Sequence, residues 1–509
     1  MKNLLIRTAV SAAIASTACT VAQATPYTLH ASGASAQRTF WESDLEAIAT
    51  GTYGSVTDAG GVTVCTLIKT TPALNPPVPD LHSLTCTISA NRGATPPSLP
   101  GGLIATDTVT LNYEAEFGSV WGIAPFISGS TSSTRGRGSV TCAGVTGYSR
   151  DQDTATACLS APTGIDIGVS DWEPILWAST DNWPVGDGLV NAPDGTGPSN
   201  VISVLSAGAA GFPTLAQLQA VETSWGEVNG EVFTVAVNNT AAPGNTITNL
   251  STQTLRAIFT GQLKTWAQVP EVGSGGSIVV CRRDHGSGTQ VTSSLYFTQT
   301  ECGGNNGVDF TGTASGGPSR FVSTADSAQG ANTLNLDQTI AAFSGVSYQV
   351  NPIENFSSND VKSCLAAYPG VSIGILSLAA NSGGYNIINI DNVQANAHNA
   401  AQGAYRYASE TWVFNNTAAN QPTNTVAQAI ATSLIADAKV PSRGVLPKEP
   451  GTLTAGVWTS ASPQVAFALQ DGINASPTFA ANTANPSAPV AVWKNTVKNK
   501  SACAILLTN

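Results

Sequence analysis

The sequence predicts an α/β protein with mainly parallel sheets. Apolar segments rich in Val and Ile alternate along the chain with segments of helical periodicity. Short turns of small or polar residues follow several of the apolar segments. The composition is 42% hydrophobic and only 10% charged, which excludes an intrinsically disordered chain. Its 509 residues suffice for two or three domains with a sizeable core.

The elements follow from local patterns in chain order. β-branched and apolar runs predict the strands, and spaced apolar residues such as Phe40, Leu45 and Ile48 predict the first helix. Polar, Gly- and Pro-rich stretches predict long surface insertions. The predicted strands are 27–31, 108–113, 165–169, 232–237, 277–280 and 371–376; the helices are 36–49, a pair over 250–266, and one opening near 289; irregular strands and turns fill 50–105, and 127–163 is a polar insertion.

The first 24 residues predict a secretory signal peptide. Lys2 and Arg7 precede an apolar stretch over 9–21, and residues 22–24 form an A-x-A cleavage signature. That stretch is too short for a membrane span, and no later apolar run reaches ~18 residues, so we expect no membrane insertion. Cys19 leaves a lipid anchor as the alternative. We therefore expect a periplasmic or secreted protein, cleaved near Ala24.

Cysteine usage agrees with export. Of nine cysteines, eight lie beyond the predicted signal peptide, an even number that favours disulfide bonds. Pairing in chain order is expected, with some buried free thiols as the alternative. None lies in a C-x-x-C motif and the four histidines are scattered, so we expect no metal site and no cofactor. The expected pairs are Cys65–Cys86, Cys142–Cys158, Cys281–Cys302 and Cys364–Cys503.

The charge balance indicates which classes of binding partner are to be expected. Lys and Arg number 21 against 32 Asp and Glu, a net charge of −11, and no basic run occurs. Nucleic acid therefore is not an expected partner.

The most informative segment follows the strand at 277–280. A Gly/Ser turn opens a helix whose first N–H groups have no internal partner. Gly288 lets the backbone approach a ligand, Ser287 and Thr289 add hydroxyl donors, and Arg283 adds a fork of N–H groups. Together they predict an oxyanion cradle; an ordinary helix cap with a surface Arg is the alternative. No Gly-Lys-Ser/Thr sequence occurs, so the segment is not a Walker A loop.

Two other strand ends carry candidate residues. Ser35 follows the first strand and offers a hydroxyl and a helix N-terminal N–H, with a simple N-cap as the alternative. Asp171 follows the strand at 165–169, with a turn or helix-capping Asp as the alternative.

These segments, taken in order, carry a family resemblance. The strongest are Thr-Gly-Gln-Leu-Lys-Thr-Trp at 260–266 and Arg-x-x-Gly-Ser-Gly-Thr at 283–289. The chain resembles the periplasmic phosphate-binding proteins of bacterial ABC importers over roughly residues 27–380. The other matching segments are 31–35, 112–113 with 118–119, 166–171, 235–238 and 370–376.

The resemblance implies a two-lobed, periplasmic-binding-protein-like (type 2) α/β fold with extra β/loop insertions. The chain would cross between lobes near 237 and again near 380. Lobe 1 would comprise 25–236 plus 381–509, with insertions at 55–105, 127–163 and 185–225, and lobe 2 would comprise 237–380.

The resemblance also implies the ligand contacts. Asp171 would accept a hydrogen bond from a protonated phosphate oxygen and reject sulfate, which has no such proton at neutral pH. The sequence departs from the family at Ala36, where Phe is usual, and at His285, where an Asp usually pairs with the Arg. The family's phosphate contacts map to Ser35, Ala36 (backbone), Ser119, Asp171, Arg283, Ser287, Gly288 and Thr289.

We therefore expect a monomeric exported receptor that captures phosphate or a related oxyanion, with an ABC permease as the partner the resemblance implies. The alternative is an exported interaction protein of the same fold with altered or lost anion binding, which the insertions and His285 favour. A hydrolase built on Asp284, His285 and Ser287 is a third hypothesis. Neighbouring residues on one turn rarely converge as a triad, so we expect no enzymatic activity.

Overall fold

The computed structural model covers the chain in segments. The regions between them, including residues 1–23 of the predicted signal peptide, lie outside the described residues. The described ranges are 24–35, 37–52, 55–69, 81–93, 98–115, 118–123, 136–142, 158–163, 165–172, 225–283, 287–298, 333–335, 338–341, 347–355, 358–378, 385–396, 399–400, 403–415, 424–439, 453–454, 457–458 and 466–468.

Helices and strands alternate, as the sequence patterns predict. The helices are α1 (Arg38–Thr50), α2 (Thr252–Phe259), α3 (Gly288–Ser293), α4 (Ser358–Ala367) and α5 (Thr425–Lys439). The strands are β1 (Pro26–Gly33), β2 (Cys65–Lys69), β3 (Leu81–Thr87), β4 (Thr108–Glu114), β5 (Gly136–Cys142), β6 (Cys158–Thr163), β7 (Ile167–Ser170), β8 (Trp225–Asn238), β9 (Asn249–Leu250), β10 (Val279–Arg283), β11 (Thr333–Asn335), β12 (Gln338–Ala341), β13 (Ser347–Asn355), β14 (Ser372–Ser377), β15 (Tyr385–Ile387), β16 (Asn389–Ile390), β17 (Ala408–Asn415), β18 (Leu453–Thr454), β19 (Val457–Trp458) and β20 (Ala466–Ala468).

The main sheet has the strand order β11-β13-β10-β14-β8-β17-β7-β1-β4-β3-β2. Two parallel centres lie in it, β4-β1-β7 and β13-β10-β14. The expectation of mainly parallel sheets is wrong, because β8 and β17 between the centres are antiparallel to their neighbours. The hairpin strands β2 and β3 of the first insertion add further antiparallel pairs.

Strand β8 joins two halves of the sheet. Its first part, up to Val232, pairs with β17, and its second part, from Phe233 to Val237, pairs with β14. We call the strands β2, β3, β4, β1, β7 and β17, with the first part of β8, the β1 half. The second part of β8 with β14, β10, β13 and β11 is the β10 half. One long strand therefore connects the two halves within a single sheet.

The core of the β1 half lies between its sheet and two helices. Leu29 and Leu111 of the sheet pack with Leu45 of α1 and Leu434 of α5 in one buried cluster. Helix α1 ends at Gly51, whose φ of 77° is left-handed and whose N–H donates to the carbonyl of Ala47. This packing fixes the turn between β1 and α1.

The β10 half has cores on both sheet faces. On one face, Val235 and Val280 pack with Phe259 of α2 and with Trp266, whose Nε1 donates to the carbonyl of Val371 at 3.0 Å. On the other face, α4 packs over the sheet in a smaller cluster that includes Leu365. Strand β10, and the turn that follows it, are thus held from both sides.

The disulfides agree with the sequence in part. Cys65 and Cys86 are bonded, as predicted, across neighbouring strands β2 and β3. Cys281 is bonded to Cys364, so the expected pairs Cys281–Cys302 and Cys364–Cys503 are wrong. The reason is that α4 packs over β10 and brings Cys364 onto the strand that carries Cys281.

The remaining cysteine predictions stay open. Cys142 and Cys158 lie directly opposite each other in the β5–β6 hairpin, and their pairing stays a prediction. Cys302 and Cys503 lie outside the described residues.

Among the helices that the structure describes, none combines the length and apolar character needed to span a bilayer.

Candidate functional site

Three segments from both halves meet at the end of β7. Asp171 follows β7, Ser119 lies in the 3₁₀ turn Gly118–Gly122, and Gly288 opens α3. Ser119 Oγ donates to Asp171 Oδ2 at 2.8 Å, and the Asp171 N–H donates to Ser119 Oγ at 3.2 Å. A Cβ built on Gly288 would lie 2.6 Å from Asp171 Oδ2 and would also overlap Ser119. Only glycine fits there, so the backbone of α3 rests directly on Asp171 and Ser119.

The position of Asp171 is set by its backbone. Its carbonyl accepts a hydrogen bond from Ser409 Oγ of β17 at 2.7 Å. Gly33 and Gly122 both approach the backbone of Val169 so closely that a Cβ on either would overlap its carbonyl oxygen. Glycine is required at these two positions because the β1–α1 turn and the Ser119 turn converge on the end of β7.

The β10 half supplies the donor groups. Arg283 ends β10 and is buried, with Nη1 donating to Ser358 Oγ at 3.1 Å. Its N–H donates to the side-chain oxygen of Gln290 at 3.2 Å, which ties the end of β10 to α3. Ser287 is the N-terminal cap residue of α3, but its hydroxyl makes no capping hydrogen bond. Thr289 is buried in the first turn of the same helix.

Ser35 lies in the turn between β1 and α1. The turn is anchored next to the end of β7, because the N–H of Ala34 donates to the carbonyl of Val169 at 2.9 Å. Ser35 is partly exposed there. Ala36 and residues 284–286, including Asp284 and His285, lie outside the described residues.

A second buried carboxyl group, not predicted from the sequence, acts on Asp171. Glu231 of β8 is 1% exposed, and Asp171 is 4% exposed. Gln37 Nε2 donates to Glu231 Oε2 at 3.2 Å, and Asn229 Nδ2 donates to Gln37 Oε1 at 3.3 Å. Ser377 of β14 also hydrogen-bonds to Glu231. The signal in the sequence was weak, because Glu231 precedes the apolar run 232–237 and follows Glu227 and Asn229 in the same strand.

Asp171 and Glu231 form a hydrogen-bonded carboxyl pair. The pKa of Asp171 is raised, because burial outweighs the hydrogen bonds from Glu231 and Ser119 and the charge of Arg283, which lower it. Burial raises the pKa of Glu231 well above its ordinary value, and the negative charge of Asp171 raises it further. Asp171 Oδ1 and Glu231 Oε1 are buried and accept no hydrogen bond from an N–H or hydroxyl group within the described segments. A hydrogen bond between two carboxyl groups requires one proton.

The arrangement of donors and acceptor suits an anion that can itself donate a hydrogen bond. The guanidinium, hydroxyl and helix N–H donors lie on the β10 half, and the carboxylate acceptor lies on the β1 half. No group of three or more His, Cys, Asp or Glu side chains among the described residues could hold a metal ion.

Comparisons with known proteins point to one superfamily. Residues 229–436 match the family model of the PBP superfamily domain. No curated protein matches the chain.

The structure resembles solved phosphate receptors. One is an ABC-type phosphate transport receptor from Vibrio cholerae, with 18% identity and a TM-score of 0.28, covering 48% of this chain and 84% of that one. A phosphate-binding protein from Stenotrophomonas maltophilia has 14% identity and a TM-score of 0.29, covering 51% and 75%. A phosphate ABC transporter substrate-binding protein from Clostridium perfringens has 14% identity and a TM-score of 0.27 over 41% of this chain. This chain covers 64% of the Clostridium protein, less than two thirds of its length. The family match confirms the sequence resemblance for residues 229–436 of the chain.

Proposed function

We propose that the protein is an exported solute-binding protein that captures phosphate or a related oxyanion between the β1 half and the β10 half. The observation that carries the proposal is the contact of Gly288, at the start of α3, with Asp171 and Ser119. This contact joins an acceptor on one half to donors on the other.

Each group has a distinct role in the proposal. Arg283 and the first N–H groups of α3 donate to the anion, and the hydroxyls of Ser287 and Thr289 add further donors. Ser119, whose single hydroxyl proton is donated to Asp171, orients that carboxylate toward the anion. Fixed dipoles and hydroxyls bind an anion without net positive charge, so the overall charge of −11 does not oppose binding at short range. Asp171 accepts from a protonated oxyanion and disfavours one that has no proton.

The backbones of Ser35 and Ala36 complete the proposed site, at the anchored turn beside β7.

The proposed lobes are 25–236 plus 381–509 and 237–380. Strand β8 changes its partner from β17 to β14 between Val232 and Phe233, a few residues before the proposed lobe change near 237. The proposed biology is ABC-type uptake by a monomer that is exported after cleavage near Ala24, with a permease as its transport partner.

The test is isothermal titration of phosphate into mature protein that has been stripped of bound ligand by unfolding and refolding. We expect 1:1 binding and a raised melting temperature, because a ligand that binds only the folded state stabilises it. Absence of both effects at millimolar phosphate would contradict the receptor proposal. That outcome would favour the exported interaction protein instead.

A further inference from the structure

We propose that Glu231 is a specificity-determining residue of this site. Its carboxyl group holds a proton that it shares with Asp171, and this proton keeps Asp171 able to accept a hydrogen bond from the ligand. The inference rests on the proposed function, because Asp171 is the group that would contact the oxyanion. Glu231 acts through Asp171 and is a positioning residue.

The geometry of the pair requires a proton. In each carboxyl group, one oxygen accepts a hydrogen bond from a neighbouring side chain. Asp171 Oδ2 accepts from the Ser119 hydroxyl, and Glu231 Oε2 accepts from the Gln37 amide. The other two oxygens, Asp171 Oδ1 and Glu231 Oε1, are buried without an N–H or hydroxyl donor in the described part of the chain. Two ionised carboxylates cannot lie side by side in a desolvated site, but a carboxylic acid and a carboxylate can.

The neighbouring charges favour the proton on Glu231 over Asp171. The charge that acts on Asp171 is the positive one of Arg283 at the end of β10, which favours an ionised Asp171. The charge that acts on Glu231 is the negative one of Asp171, which favours a neutral Glu231. The polar groups on Glu231 are Gln37, before α1, and Ser377, in β14.

Within the described segments, a phenol and two further charged side chains lie near the pair. The charges of both carboxyl groups, and those of Arg38 and Glu42, act on the phenol of Tyr113 in β4. Burial raises the pKa of Tyr113 well above its ordinary value, so this phenol stays neutral and does not supply or remove charge.

The shared proton sets the charge of the site. With Glu231 neutral, the single charge of Asp171 is balanced by Arg283, and Asp171 keeps free lone pairs for a protonated oxyanion. When Glu231 loses its proton at alkaline pH, the pair carries two negative charges against one positive charge. Anion affinity must then fall, and binding must be accompanied by uptake of a proton.

Two variants separate the proton from the shape of the side chain. In Glu231→Gln, the amide donates to Asp171 as the neutral acid does, but it cannot titrate. In Glu231→Leu, a side chain of similar size offers no donor. Asp166→Asn is the matched control, since Asp166 is another buried carboxyl group that lies at the opposite end of β7.

The experiment is titration of phosphate between about pH 6 and about pH 10, in two buffers of different ionisation enthalpy. Relative to Glu231→Gln, wild type should lose about tenfold or more in phosphate affinity across this range, and should take up a proton on binding at its alkaline end. Asp166→Asn should follow wild type. Glu231→Leu should lower the phosphate-to-sulfate affinity ratio at every pH. Superimposable profiles for wild type and Glu231→Gln would overturn the inference.

An infrared measurement separates this inference from the proposed function. The difference spectrum of wild type minus Glu231→Gln, without phosphate, should contain the C=O band of a protonated carboxyl group at neutral pH. Absence of that band would overturn the shared proton, whether or not phosphate binds. A wild type that shows the band but binds no phosphate would overturn the role in recognition together with the proposed function.

Discussion

The β1 half and the β10 half are built alike around three parallel strands, yet they bring opposite chemistry to their contact. The β1 half contributes two buried carboxyl groups, Asp171 and Glu231, and the Ser119 hydroxyl. The β10 half contributes Arg283 and the start of α3. The carboxylate acceptor lies on the β1 half and the guanidinium lies on the β10 half, so a protonated oxyanion that uses both groups must contact both halves. Recognition in the proposed site therefore depends on how the two halves meet.

The largest effect is expected from the donor side. Arg283→Ala should weaken phosphate and sulfate similarly, because the guanidinium donates to any oxyanion. Removing such a partner from a desolvated site costs about 2–5 kcal/mol. Titration of both anions at one ionic strength measures the effect. A loss confined to phosphate would show that Arg283 has a different role.

The contact itself is tested by Gly288→Ala. The new methyl group would overlap Asp171 and Ser119, so the halves would have to separate at this point. Overpacking of this kind costs about 1–3 kcal/mol, and we expect phosphate affinity to fall accordingly. Gly276→Ala is the matched control, because a Cβ there meets nothing within 4 Å. Equal affinities in the two variants would show that the tight approach of Gly288 is unimportant.

Each half contains a disulfide, and the two disulfides close loops of different length. Cys281–Cys364 closes 83 residues in the β10 half, and Cys65–Cys86 closes 21 residues in the β1 half. Chain entropy predicts a cost of about 4.5 kcal/mol for losing the first and about 3.3 kcal/mol for the second. Paired Cys→Ser variants, compared by denaturant unfolding, should therefore differ by about 1 kcal/mol. A larger loss in the Cys65–Cys86 variant would contradict this order.

A pH-dependent prediction concerns Asp166, at the far end of β7 from the site. Burial raises the pKa of Asp166 from 3.8 to about 7, so the folded state binds this proton more tightly than the unfolded state. Its contribution to stability is therefore present at low pH and is lost as the pH rises from about 4 to about 7. The free energy of unfolding should fall less over this range in Asp166→Asn. Equal slopes for the two proteins would refute the assignment.

Local patterns predicted the elements but not their directions or contacts. The apolar runs predicted β1, β7 and β14 because strand alternation and burial are encoded locally. The antiparallel placement of β8 was missed because strand direction depends on the long connections around it. Similarly, the bond of Cys281 to Cys364 depends on the packing of α4, which sequence spacing does not reveal.

The site shows the same division. Asp171, Ser119 and Gly288 are brought together as the resemblance implies, while the ligand roles assigned to the predicted residues stay predictions. Glu231 was missed because its significance arises only from the neighbouring Asp171, 60 positions earlier in the chain. Its place in the strand gives no warning, because Glu227 and Asn229 precede it in β8.

The most direct measurement is the ratio of phosphate to sulfate affinity in wild type and in Asp171→Asn, by titration at one pH and ionic strength. The substitution removes the carboxylate and presents an amide donor, so phosphate should bind more weakly and sulfate should be rejected less. The ratio should fall in Asp171→Asn even if the affinity for phosphate changes little. An unchanged ratio would contradict the claim that the two halves recognise a protonated oxyanion through Asp171.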